Sequence, residues 1–192
     1  HVQKNMATAV DLGMMIMVHV GDPDTWFATH YRNAQRYGTK AAQYEPLEMC
    51  LRRYAVPTIA AHMGGWPENL DFLNGLLSRH DNLYLDTSAT KWMVRALSQH
   101  DRHELLDFFT RWQHRLMFGS DIVTRDSHLV SDAKDVEEQK SANVAEAFDL
   151  YASRYWALRT LFETNFDGLS PIADPDLQLV DPKNFSELDS PR

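Results

Sequence analysis

Two histidines and an aspartate close three apolar runs of this chain. Met14-Met-Ile-Met-Val18 runs into His19, Thr58-Ile-Ala-Ala61 runs into His62, and Leu116-Met-Phe118 passes through Gly119 and Ser120 to Asp121. Imidazole nitrogens and carboxylate oxygens are ligands for zinc and similar borderline divalent ions. Such an ion lowers the pKa of water to about 7, and a carboxylate beside it can take the proton. That chemistry suits hydrolysis, or proton transfer to a carbon that loses CO2. The plainer reading makes the histidines strand-end residues bonded to backbone and Asp121 a loop cap. It explains any one of the three more readily than three matched strand ends.

For the three to meet, the apolar runs must be parallel strands whose C-terminal ends share one rim. The intervening sequence has the pattern to do this. Val2 to Leu12 reads as a helix with Met6 and Val10 on its apolar face, stopped at Gly13, and Gly21-Asp-Pro-Asp24 is turn chemistry just past His19. Thr25 to Tyr44 is an aromatic, mixed-charge connection of the length that tends to carry specificity. Pro46 fits the first turn of a helix to about Arg53, with Leu47, Cys50, Leu51 and Tyr54 at helical spacing. A strand over Val56 to Ala61 follows, then a Met63-Gly-Gly-Trp-Pro67 turn and an amphipathic helix from Asn69 to Arg79. Asn82 to Asp86 alternates as a strand, Lys91 to Gln99 and Arg102 to Trp112 read as helices, and Arg115 to Gly119 is the last strand. That strand should be covered on both faces and turn sharply at Gly119. Four such units imply parallel strands with right-handed crossovers, hence half an eight-stranded barrel or most of an open sheet. Beyond Asp121 the pattern changes: Thr124 to Asn143 is a polar excursion, Ala145 to Thr164 a strong helix, and the tail from Asp167 loop-like.

With 192 residues, 44% of them hydrophobic, the chain can bury one sizeable core. Its net charge of -8 disfavours nucleic acid and anionic membrane surfaces as partners. The single Cys50 has no internal disulfide partner, which fits a reducing, cytoplasmic setting. No apolar run approaches the roughly 18 residues of a membrane span. The chain opens on His rather than Met, in what reads as the tail of a helix already under way, so it is expected to be entered partway.

The ordered set Val18-His-Val, Ala60-Ala-His-Met-Gly-Gly65, Asn82-Leu-Tyr-Leu-Asp-Thr-Ser88 and Leu116-Met-Phe-Gly-Ser-Asp121 resembles the amidohydrolase superfamily. Within it, the set is similar to the branch that includes aminocarboxymuconate-semialdehyde decarboxylase. The resemblance covers about residues 1 to 126 and implies a (β/α)8 TIM barrel of the metal-dependent hydrolase type, of which this chain holds strands 5–8. Residues 1–126 would be the second half of the barrel, and 127–192 an insertion or C-terminal helical and loop segment of the same domain. It further implies one divalent ion, zinc before manganese, with His19 the fifth-strand ligand and Asp121 the eighth-strand ligand and proton acceptor. His62 would polarise water or substrate, stabilise a developing oxyanion or donate a proton. The family's first-strand His-X-His pair has no counterpart here, and His100 and His103, at another spacing, read as solvated. The implied activity is hydrolysis of an amide, ester or lactone. Non-oxidative decarboxylation of an unsaturated or aromatic acid is the second option, and a non-catalytic fragment or binding module the third. The expected partner is a small-molecule substrate, with a homodimer as is common in such families.

Other residues have two readings each. Trp66 and Trp92 follow strand ends and can wall a substrate pocket or pack between helices. Arg95 lies one helical turn beyond Ser88, where it can meet a substrate carboxylate or form a surface ion pair. Asp22, Asp24 and Asp86 read as turn or cap residues, and Arg159 with Glu163 as an intrahelical pair.

Overall fold

In the computed structural model, which describes residues 2–123, 143–166 and 168, four short strands pair side by side in chain order. They are β1 (Ile16–Val18), β2 (Thr58–Ala60), β3 (Leu83–Asp86) and β4 (Leu116–Met117), and every pairing is parallel. Parallel neighbours cannot be joined by a hairpin, so each connection carries helix back across the sheet. The register aligns Val18 with Ala60 and Ala60 with Leu85. The residues just beyond these positions therefore emerge at a common C-terminal rim.

The helices are α1 (Val2–Asp11), α2 (Asp24–Thr29), α3 (Ala34–Tyr37), α4 (Tyr44–Arg53), α5 (Ala61–Gly64), α6 (Leu70–Arg79), α7 (Thr90–Ser98), α8 (Arg102–Trp112) and α9 (Val144–Glu163). Several of their starts follow cap chemistry. Asn69 accepts from the Phe72 N–H at 2.9 Å, Asp101 from His103 at 2.8 Å, and Asn143 from Glu146 at 3.0 Å. Leu47 and Leu51 of α4, Leu73, Leu76 and Leu77 of α6, Met93 and Leu97 of α7 and Leu158 of α9 pack with Ala60, Leu83 and Leu85 into one core. Side chains alternate across a sheet, so Ala60, Leu83 and Leu85 look to one face and Met17, Ile59 and Tyr84 to the other. Met17 is 62% exposed there.

At the other end of the strands Glu48 ties α4 to α6, accepting from Arg79 at 2.9 Å and lying 3.0 Å from the His80 ring. The Asn82 amide donates to the carbonyls of Leu51 and Tyr54, and Arg115 donates to those of Leu77 and His80.

Several sequence expectations are corrected. The strands are shorter than the apolar runs, because only the inner residues find a ladder partner. β4 has two residues and lies at the sheet edge, so Phe118 is 59% exposed and stacks on Tyr155 rather than being covered on both faces. Gly119 makes no positive-φ turn. What requires glycine there is closeness, since a Cβ would lie 3.2 Å from Ser88 Cβ and 3.5 Å from Asp86 Cγ. The Thr25–Tyr44 connection is built of α2, α3 and a 3-10 turn over Ala41–Gln43. The excursion over 124–142, the tail from Asp167 (residue 168 apart) and the boundary after residue 126 lie outside the described residues. Among the described residues, no helix is long and apolar enough to cross a membrane.

Candidate active site at the strand rim

His19 and His62 leave adjacent strands and meet, with ring centroids 5.0 Å apart and the rings edge-to-face at 68°. The approach of their two loops depends on Gly65, where a Cβ would land on the Val20 carbonyl. The buried Tyr44 hydroxyl secures the same turn by donating to the Gly64 carbonyl at 2.7 Å. His19 is exposed, and its Nε2 lies 3.2 Å from Asp22 Oδ1. Asp22 in turn accepts from the Tyr31 hydroxyl at 2.8 Å.

His62 is held more tightly. Its backbone, with that of Met63, adopts a left-handed conformation (φ 60° and 52°), which L-residues with side chains enter at a cost. The Asp86 carboxylate offsets that cost by accepting the His62 N–H at 2.8 Å through Oδ1. The same oxygen accepts the Ser88 N–H at 3.1 Å and the Ser88 hydroxyl, and Ser88 Oγ lies 2.6 Å from His62 Nδ1. Ala89 and Asp121 have positive φ as well, at 59° and 52°. Every positive-φ residue other than glycine among the described residues thus falls just past β2, β3 or β4.

Asp121 is exposed, at the end of β4. Its loop is fastened to the segment leading from β3 into α7: Gly119 N–H donates to Thr87 Oγ1 at 3.1 Å, and the Thr90 hydroxyl donates to the Ser120 carbonyl at 3.1 Å. Burial, and next to it His19, push the His62 imidazole below the ordinary histidine range, while the Asp121, Asp86 and Asp22 carboxylates act in the opposite sense. His62 is therefore neutral at pH 7. Among the described residues, no three His, Cys, Asp or Glu side chains converge tightly enough to hold a metal ion. The donor types at the rim nevertheless suit one: an exposed imidazole on His19, an exposed carboxylate on Asp121, and a neutral imidazole beside them.

A family model described as Amidohydrolase matches residues 2–166. This chain belongs to the amidohydrolase family. No curated protein and no solved structure matches it. For this amidohydrolase the family supports an enzyme of metal-dependent hydrolase type, and the mixed α/β architecture with its parallel sheet agrees with the TIM-barrel superfamily.

The rim thus gathers His19 and His62, with Asp121 near enough to act on His62 electrostatically. Trp66 packs against Tyr44 and Phe72, with the Lys40 ammonium 5.1 Å over its ring. Lys40 is itself buried and donates to Asp24 at 2.7 Å. Trp92 is buried in the core, and Arg95 is half-buried on α7. His100 is not solvated: it is 13% exposed, with Nε2 2.7 Å from the Pro67 carbonyl. His103 is exposed as expected, and Arg159 and Glu163 pair at 2.9 Å. Sequence reasoning gave Asp22 and Asp86 turn or cap roles only, and assigned no role to Ser88 or Tyr31. For Asp86 the signal was available, because it ends its strand at the level where His19 and His62 follow theirs.

Proposed function

We propose that this amidohydrolase hydrolyses an amide, ester or lactone bond of a small molecule at the rim formed by His19, His62 and Asp121. The observation that carries the reading is the 5.0 Å meeting of the two histidine rings at the strand ends, with Asp121 acting on the same His62. His19 and Asp121 would hold one divalent ion, zinc before manganese, which when bound makes water a nucleophile at neutral pH. Asp121 accepts a proton from the attacking water. His62, neutral at pH 7, exchanges a proton with the reacting group. Trp66 and Arg95 are assigned to the substrate side, Arg95 as the partner of a substrate carboxylate.

We assign β1 to β4 to strands five to eight of the family's barrel, in the branch that resembles aminocarboxymuconate-semialdehyde decarboxylase. The exposure of Met17 on that face supports the assignment, because a barrel lines this face with its own opposite strands. The remaining ligands then come from the first half of the barrel. Charge and composition support a cytoplasmic enzyme that binds neither nucleic acid nor membrane, and the family resemblance supports a homodimer.

Elemental analysis tests the site. Protein from the complete gene should carry about one zinc or manganese per chain, and Asp121→Ala and His19→Ala should both lose it while remaining folded. No metal in any of the three would make the strand ends structural and leave a non-catalytic module. Amide, ester and lactone substrates are then screened for released amine or alcohol. CO2 release from unsaturated or aromatic acids, without hydrolysis, would give the site to decarboxylation.

A further inference from the structure

The tightest polar chain at the rim lies behind the candidate ligands. It runs from His62 Nδ1 to Ser88 Oγ at 2.6 Å and from Ser88 Oγ on to Asp86 Oδ1. Asp86 and Ser88 are both buried, so neither exchanges these bonds for water. A hydroxyl has one proton to give. Asp86 Oδ1 already receives the N–H groups of His62 and Ser88, which leaves no room for a proton of its own. The Ser88 proton therefore goes to Asp86, and Ser88 Oγ faces His62 with a lone pair. If Nδ1 were bare, two lone pairs would confront each other at 2.6 Å.

We propose that Ser88, backed by Asp86, is a positioning residue that fixes His62 in the tautomer with its proton on Nδ1 and leaves Nε2 a bare acceptor at the rim. The inference rests on the reading above only in taking His62 as the working group. It sharpens that role. With Nε2 bare, His62 can take a proton there from a reacting O–H group while its Nδ1–H stays on Ser88, and return it from Nε2 to the leaving group. Donating a hydrogen bond to an oxyanion from the outset would need the other tautomer. Ser88 and Asp86 touch no reacting atom. Ser88 acts on the ring, and Asp86 holds both Ser88 and the left-handed backbone of His62.

Long-range nitrogen–proton NMR on the full chain, ring-labelled with 15N-histidine and treated with chelator, reads the tautomer directly at pH 8. With nine histidines in the sequence, the His62 signals are assigned by their loss in His62→Gln. The expected wild-type pattern is a protonated, pyrrole-like Nδ1 and a pyridine-like Nε2. The reverse pattern overturns the proposal, and the pattern itself is read on wild-type protein, His62→Gln serving only to assign the signals. In Ser88→Ala the two nitrogens should move toward an averaged position as both tautomers become populated. Ser88→Thr, which restores a hydroxyl, should return them toward the wild-type pattern. Unmoved signals in folded Ser88→Ala would overturn the part assigned to Ser88. Because no metal or substrate enters this readout, loss of the hydrolase reading would leave it standing, and the reverse holds too.

Discussion

Asp86 accepts three hydrogen bonds on one carboxylate oxygen, two of them from backbone N–H groups that have left the regular ladder. A buried donor stripped of its partner loses its full solvation, about 1–3 kcal/mol for each group. Asp86→Ala should therefore cost about 3 kcal/mol, read as a lower urea midpoint at unchanged slope. Asp86→Asn, whose carbonyl can take the same bonds, should cost only about 1 kcal/mol. Equal losses would mean that the charge, not the acceptor geometry, holds the turn. At this scale the sequence was partly legible. His19 and His62 stood out because apolar runs stop at them, and Asp86 ends its strand in the same way. Its bond to a backbone N–H twenty-four positions earlier in the chain leaves no local trace, so the turn-or-cap reading came first.

Among the elements, α4 and α6 are coupled at the rim-distal end of the sheet by Glu48. The Arg79 guanidinium, and after it His80, hold the Glu48 carboxyl down at about 2 against the opposing effect of burial. A carboxylate whose folded pKa is depressed stabilises above its unfolded value, here 4.5, and loses that contribution as pH falls through the folded value. With Arg79 half exposed, screening trims the gain to on the order of 2 kcal/mol. Glu48→Gln should thus melt below wild type at pH 7, and the gap should close as pH drops from 4.5 toward 2. A gap that does not change with pH would show that Glu48 acts through packing alone. Elements whose start is set by a side chain were the easiest to read: Asn69 and Asp101 each precede their helix by one residue, as cap chemistry requires. Strand ends were harder, because pairing decides where a strand stops. The run from Arg115 to Gly119 yields only Leu116–Met117, since β4 has a single neighbour.

At the scale of the molecule, the question is what lies beyond β1. Ile16 donates its N–H to the Pro57 carbonyl on the β2 side at 3.1 Å. Successive residues of a strand point their backbone groups to opposite sides, so the Met17 N–H and C=O face away from β2. An unpaired edge of this kind is a template for another strand. If β1 is the fifth strand of a barrel, its outer edge belongs to the fourth. Hydrogen exchange separates the cases at single amides. In the 192-residue chain the Met17 amide should exchange at least about tenfold faster than that of Ile16, because nothing on its side must open first. In a protein that carries four further strands before β1 the two should be protected alike, because a strand closing the barrel would pair Met17 as β2 pairs Ile16. Equal protection already in the 192-residue chain would mean that the edge is covered without further βα units. The assignment of these strands to positions five to eight would then fail, although the amidohydrolase family and the rim chemistry would stand.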